Sequence, residues 1–468
     1  MFVRTRAAAL LAAAALVACN SGKREGSGGT SAGVGSGGSS KVWYGPGSTG
    51  AGVGSFSGGA TGLGQFVAGP DLNTARGQAA ATLLKDGRVL VTGGFDGQRI
   101  LASSEVFDPQ KNAWTAVDTL APTPDQGRMM ITDAAGSFAS VRRHHTAVAL
   151  LDGTVLVAGG HGVERRNGTQ QVLEAMRTAF LFDPATHAFT QVDSLSENRF
   201  LHQAAALHDG RGAVEGGVGL PNPAVLSLTT LEVFDPITGK WTVHQVSPRS
   251  SGVGLSIPGK GALFYGGGDV IDYVGQQLRA LVVMNFAGQP VEVFEAPVDR
   301  VHSATSTFPR PRMDVGGVMT SNGFAFFAGG RGQSPAQAPP LVLDNRPIYD
   351  LTPGTPALEV LDTSERYDVA SDRCLPGPKL RQARWGCQLA ELGMTSDVLI
   401  VGGQDANNAL LGSCEVYSVR WDTILGTVDL ATPRMQFRAL TLRDGRVMVI
   451  GGLDANAAGI ASCEFHLR

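Results

Sequence analysis

The chain has little of what most functional classes need. Of its 468 residues only 17% are charged and 7% aromatic, and 38 basic side chains stand against 41 acidic ones. Without a basic excess there is no electrostatic drive toward a phosphate backbone, so nucleic acid is not an expected partner. Five cysteines in a chain of this length cannot build the dense disulfide framework of small secreted domains. Long apolar runs are missing too: Ala7 to Val17 is too short to span a bilayer, and no other run reaches that length. What is abundant is glycine, 63 residues, which together with the low charge describes a turn-dense β protein rather than a helical one.

Arg4 and Arg6 precede the Ala7 to Val17 run, the layout of an export signal. The run closes on Leu16-Val17-Ala18-Cys19, which resembles the lipobox of bacterial lipoproteins. That resemblance implies removal of residues 1–18 and lipid attachment to Cys19, leaving 36 basic against 41 acidic side chains. In enteric lipoproteins an aspartate after the cysteine favours inner-membrane retention, so Asn20 is compatible with passage to the outer membrane. The expectation is an exported protein, lipid-anchored in the bacterial cell envelope, periplasmic or surface-facing, and touching the membrane through that lipid only. Residues 19–64 are rich in Gly and Ser and form a tether. A flexible coil of about 45 residues spans on the order of 35–40 Å. Gly29-Thr30-Ser31-Ala32-Gly33 matches a serine-hydrolase elbow, which acts only on a tight strand-to-helix turn; within a Gly/Ser tether it is a chance match.

From Arg76 onward the chain repeats itself. An arginine lies seventeen residues before a Gly-Gly pair at Arg76, Arg142, Arg199, Arg249, Arg312 and Arg434, and eighteen before one at Arg384. Between them stand an apolar segment, a turn that is often Asp-Gly, and a second apolar run such as Val89-Leu90-Val91 or Val447-Met448-Val449-Ile450. After each glycine pair come a loop, a third strand such as Leu231-Glu232-Val233-Phe234-Asp235-Pro236, and a fourth carrying Trp114, Phe189, Trp241 or Trp421. Asp-Gly predicts a two-residue hairpin with both central residues at positive φ. A continuous apolar strand needs cover on both faces, which one small sheet cannot provide, so seven four-stranded units must stack face to face.

The Gly-Gly pair after an apolar strand, the aromatic and Asp-Pro of the third strand and the Trp of the fourth resemble the kelch family. The resemblance covers residues 65–468 and implies an all-β fold: a seven-bladed kelch-type β-propeller with four antiparallel strands per blade. Two repeats depart from it, with Phe189 in place of Trp in the second and a third strand at Leu281 to Phe286, lacking Glu and Asp-Pro, in the fourth. The last unit stops after its third strand, so Gln65 to Gly69 is expected to supply the missing strand, closing the ring and hiding its edge.

Long insertions fall only in the strand 2–3 and strand 4–1 connections: residues 121–140, 161–173, 218–228, 269–277 and 331–359. These share one face, which is the candidate partner surface for a protein or glycan. In kelch substrate adaptors, similarly placed arginines grip carboxylates of a bound peptide. The repeat arginines could therefore ring the channel mouth on this face and bind carboxylates as bidentate forks. The alternative is that the arginines are architectural, held by carbonyls or by Glu105, Glu232, Glu365, Glu415 and Glu464. His161 joins the binding candidates; His144, His145 and His202 lie near it, but one pair of equivalent positions does not supply a metal's ligands. No catalytic residue, metal or cofactor is assigned. A galactose-oxidase-like or carbohydrate-active centre is the enzymatic alternative, for which six tyrosines, two of them in repeat positions, are poor material. A purely architectural envelope component is a third reading, and a monomer is expected. Cys374 and Cys387 flank the connection between blades 5 and 6 and could form a disulfide.

Overall fold

The computed structural model describes residues 62–117, 131–132, 138–139, 141–166, 170–219, 227–273, 279–283, 291–308, 312–332, 341–343, 346–350, 359–393 and 395–468. The expected export signal, Cys19, the elbow-like pentapeptide and the segment up to residue 61 read as a tether lie outside these.

Four-stranded antiparallel meanders recur seven times around one axis. Blade 1 is built from Ala80–Leu83, Val89–Thr92, Ser104–Asp108 and Ala113–Val117. Blades 2 to 6 occupy residues 146–192, 203–245, 250–303, 316–376 and 388–429 in the same order. Blade 7 takes three strands from residues 438–467 and its fourth from Gln65–Ala68, which pairs antiparallel with Cys463–Leu467. The N-terminal strand thus closes the ring. The ordered fold starts slightly before it: Leu63, in the segment read as tether, is buried between blades 6 and 7.

The second strands show why stacking is obligatory. All four residues of Val89–Thr92 are buried. Val89 and Val91 pack with Met448, Ile450 and Phe465 of blade 7, whereas Leu90 turns to Val155, Val157 and Phe180 of blade 2. The strand's period of two therefore distributes one apolar run over two interfaces. Each such side chain contributes about 1.5–3 kcal/mol of burial, and the core is a series of layers between blades.

The Gly-Gly pair is a joint between neighbours. Gly93 has φ +56°, and a Cβ there would run into the backbone carbonyl of Arg142 in the next blade. The amide of Gly94 donates to that same carbonyl at 2.8 Å. Gly452 does likewise to Arg76, joining blade 7 to blade 1.

Closer to the axis, the residue two after each repeat arginine is left-handed: Gln78, His144, Leu201, Ser251, Asp314 and Gln436 at φ +52° to +59°, with Gly386 in the remaining blade. Their backbones link blade to blade. Gln78 N donates to Gln436 O, His144 N to Gln78 O, Leu201 N to His144 O, Ser251 N to Leu201 O, Asp314 N to Ser251 O and Gly386 N to Asp314 O. This collar fixes the width of the channel mouth.

The structure corrects four expectations. The third strand of blade 4 is Glu292–Glu295, not Leu281 to Phe286, so the repeat glutamate is present there. An insertion hairpin misplaced it: the second strand runs on through Tyr273 and turns back as Arg279–Val283. Trp421 sits in the turn after the third strand of blade 6, 64% exposed, and Ile424 occupies the packing position opposite Tyr417. The Asp-Gly turns are three-residue loops. Leu84 N bonds Arg88 O, Gly87 N bonds Leu84 O, and only the glycine has positive φ. Finally, Cys374 and Cys387 are free thiols. Cys374 lies on the outermost strand of blade 5 and Cys387 beside the innermost strand of blade 6, so the connection between them crosses the whole blade radius.

Candidate functional site

The repeat arginines are almost fully buried, from 0% to 3% exposed. Arg76 shows the pattern. Its Nη1 donates to Gly93 O at 2.8 Å and Ser103 O at 2.7 Å, and its Nη2 pairs with Glu105 at 2.7 Å. Glu105 in turn accepts from the backbone amides of Asn73 and Thr74, in the connection that delivers the arginine. One ion pair therefore ties the second strand, the third strand and the incoming loop together. Arg384 with Glu415 at 2.8 Å, Arg434 with Glu464 at 2.7 Å and Arg312 with Glu365 at 2.9 Å repeat it, as does Arg199 with Glu232.

Two blades vary the clamp. In blade 2 the glutamate position is Phe180, and Arg142 lies over its ring at 4.9 Å while donating to Gly159 O. Burial lowers the Arg142 pKa to about 9. Arg249 is shared between Glu292 at 2.5 Å and Glu215, 3.1 Å from its Nε. Glu215 is wholly buried on the second strand of blade 3, and burial pushes its carboxyl up to about 8. The repeat arginines are thus consumed inside the blades. The carboxylate-gripping ring is corrected to an architectural clamp, because the guanidinium groups are taken up by the strands of their own blades and, for Arg249, also by Glu215 of blade 3.

The histidines are held in a similar way. His145 Nε2 meets Thr92 Oγ1 of blade 1 at 2.7 Å, and His202 Nε2 meets Thr146 Oγ1 of blade 2 at 2.9 Å. His161 is 2% exposed and stacks on Phe200 at 4.5 Å. Burial and the nearby Arg143 lower its pKa to about 3, so it is neutral and acts as an inter-blade wedge. Among the described residues no three His, Cys, Asp or Glu side chains converge as metal ligands.

Positive charge reaches the axis through residues that do not repeat. Arg143, one place after the repeat arginine of blade 2, lies over Phe95 at 5.3 Å and donates through Nη1 to Gln78 Oε1 at 3.0 Å. Gln78 Nε2 continues to Gln436 Oε1 at 2.5 Å, so blades 7, 1 and 2 share a polar arc at the mouth. Arg143 Nε has no partner, and burial lowers its pKa to about 10. Arg438 opens the innermost strand of blade 7, where the other blades carry Ala80, Thr146, Gln203, Val253, Gly316 or Gln388. The residue is half-buried, and its guanidinium forms no hydrogen bond or ion pair among the described residues. Burial lowers its pKa. Arg143, His161 and Arg438, added to burial, hold His144 well below the ordinary imidazole value.

By contrast, the opposite side of the mouth is neutralised: Arg331 pairs with Asp314 and stacks on Trp385 at 4.2 Å. Periodicity pointed to the arginines that recur. The signal for Arg143 and Arg438 was the reverse, a charge at a position where the other repeats have none.

The long connections are described only in part: most of residues 121–140, 218–228 and 333–358 lie outside the described residues, and the face carrying the strand 2–3 and strand 4–1 connections holds the rest. Within it His161–Arg166 and Gln170–Ala175 form a hairpin. The insertions of blades 4 and 5 pair with each other, Leu281 opposite Asp350 and Val283 opposite Ile348, so two long loops make one small sheet beside the mouth.

The kelch motif model matches residues 78–120. Among curated proteins the chain is similar to alpha-scruin of Limulus polyphemus, 27% identical over 176 residues, 37% of this chain and 17% of that protein. It is also similar to Kelch-like protein 34 of Homo sapiens, 25% identical over 182 residues, 38% of this chain and 24% of that one. These matches span less than a quarter of either relative's length. Among solved structures, a fungal alcohol oxidase in complex with copper has a TM-score of 0.53 at 12% identity, covering 86% of this chain and 76% of that one. At that identity the likeness concerns the fold alone.

Proposed function

Because the chain is a kelch-repeat β-propeller, we propose that it is a cell-envelope lipoprotein whose long-loop face binds a partner bearing carboxylates, on an acidic protein segment or an acidic glycan. Kelch propellers serve as scaffolds for protein binding. The observation that carries the finer reading is a pair of arginines near His144 at one side of the channel mouth, Arg143 held by Gln78 and Phe95 and Arg438, neither in an ion pair among the described residues. A buried or half-buried guanidinium without a carboxylate gains about 1.5–3 kcal/mol from a charge-assisted hydrogen bond to an incoming anion. The surrounding hairpins supply area and selectivity.

Cys19 provides the anchor, by the lipobox resemblance. Metabolic labelling with a fatty acid tests it: wild type should incorporate label and Cys19→Ser should not. For the site, a fluorescent oligoglutamate should bind more tightly than oligoglutamine, and Arg438→Gln or Arg143→Gln should each weaken it about tenfold or more. Equal affinity for the two peptides would reject the carboxylate reading. An oxidoreductase or carbohydrate-active centre at the same mouth is the rival, and stoichiometric copper or another transition metal in the purified protein would favour it.

A further inference from the structure

The two faces of the propeller differ in where the chain leaves them. Gln65 pairs with Leu467 at the end of the third strand of blade 7 that runs toward the short turns. Gly62 O accepts from Arg468 Nε, and Arg468 reaches Thr395 Oγ1 at 3.0 Å and Asp397 Oδ2 at 2.7 Å, in the strand 1–2 turn of blade 6. The preceding segment therefore departs from the short-turn face, opposite the long loops.

That same face carries the exposed apolar side chains. Among the described residues five large hydrophobics are exposed: Ile237 at 93%, Trp421 at 64%, Val298 at 61%, Leu151 at 59% and Val243 at 45%. Four of them are turn tips, Leu151 between strands 1 and 2 of blade 2, and Ile237, Val298 and Trp421 between strands 3 and 4 of blades 3, 4 and 6. Only Val243 lies elsewhere, on an outer strand. None of the four tips fills an interface between blades; they project from the turns of one face. Single exposed hydrophobics are ordinary on a protein surface. Four at the tips of the face from which the preceding segment departs form an arrangement that suits a planar apolar partner.

We propose that the short-turn face rests on the lipid surface, with Trp421, Ile237, Val298 and Leu151 entering the headgroup region, so that the long-loop face is held outward toward its partner. This rests on the lipoprotein reading and goes beyond attachment through the lipid alone. Cys19 lies 43 residues before Gly62 in the sequence, so a lipid there keeps the face from which the chain departs at high effective concentration near the membrane, and weak contacts suffice. Tryptophan and aliphatic tips are suited to that boundary because they are apolar without requiring a spanning segment. The basic and acidic side chains of the turns largely pair with each other, as Arg88 does with Asp86, Arg211 with Asp299 and Arg446 with Asp444, so the attraction is apolar rather than electrostatic.

The test couples the mature full chain to vesicles through Cys19 by a maleimide lipid, which provides the tether whether or not cells lipidate this residue. Tryptophan fluorescence is read with and without brominated acyl chains, and the difference between wild type and Trp421→Phe isolates Trp421. That difference should be quenched by the brominated lipid. A reporter on the opposite face, Ala455→Trp in the Trp421→Phe background, should be left bright. Ile237→Asp with Val298→Asp should abolish the quenching of Trp421 while the tether stays intact. Equal quenching at both faces, quenching at neither, or quenching that survives the aspartates would overturn the proposal. Fatty-acid labelling in cells reports separately on the lipoprotein reading, so the two failures are distinguishable.

Discussion

Arg384 and Arg438 stand at the entrances of neighbouring innermost strands and live in opposite environments. Arg384 is wholly buried and saturated, donating to Gly402 O and Ser413 O and pairing with Glu415. Arg438 is half-buried and in no ion pair among the described residues. The first recurs in every blade and the second in none. Repetition marks what the architecture requires of each unit, whereas chemistry directed outward has to appear where the symmetry is broken.

The sharpest way to break that comparison is to remove the repeat arginine. Arg384→Ala strands Glu415, which is 0% exposed, beside three strand segments that have lost their tie. Breaking a buried pair from one side costs about 3–5 kcal/mol, and the fall should appear as a lower midpoint in chemical denaturation without any ligand. A midpoint within error of wild type would return the repeat arginines to the list of binding residues.

Ring closure comes next in size. Deleting residues 20–60 should leave the melting temperature unchanged, while extending the deletion through Gly69 removes Leu63 and the strand Gln65–Ala68 and exposes the edge of blade 7. The lost apolar burial alone is worth about 3 kcal/mol. Equal melting temperatures for the two truncations would mean that the ring holds without its closing strand.

A pH titration sharpens the comparison at an interface between blades where two acids share an arginine. Glu215 titrates at about 8 in the folded chain, against an ordinary value of 4.5. Between those values the folded state holds a proton that the unfolded state has released, so stability is greatest below pH 4.5 as far as this group is concerned and falls as pH rises through 8. Glu215→Gln should remove that fall and be the more stable protein at pH 8.5. A wild-type profile that is flat across this window, or parallel to that of the glutamine variant, would show that Glu215 is ionised when folded.

The smallest expected change in stability is at Arg438. Arg438→Gln should keep the denaturation midpoint within about 0.5 kcal/mol of wild type, since no internal partner is stranded, while oligoglutamate binding weakens. A large loss of stability would make Arg438 a structural residue and leave the mouth without its outward-facing cation.

Much of this molecule is written in local pattern. Seven spacings between arginine and glycine pair, continuous apolar second strands and an incomplete last unit were enough to specify a seven-bladed ring closed by its own N-terminal strand. The reason is that each repeat is a short meander whose pairings are close in sequence, and a strand apolar on both faces has one stacked solution. Only the tertiary structure decided which arginines are free to act. Whether a guanidinium meets a glutamate about thirty residues onward, a phenylalanine in its place, or open channel depends on register and radius across blades, and neither is visible in composition or spacing. The same holds for Cys374 and Cys387, near in sequence yet at opposite radii, and for the tether's departure from the short-turn face, which follows from the direction of the strand that Gln65–Ala68 joins.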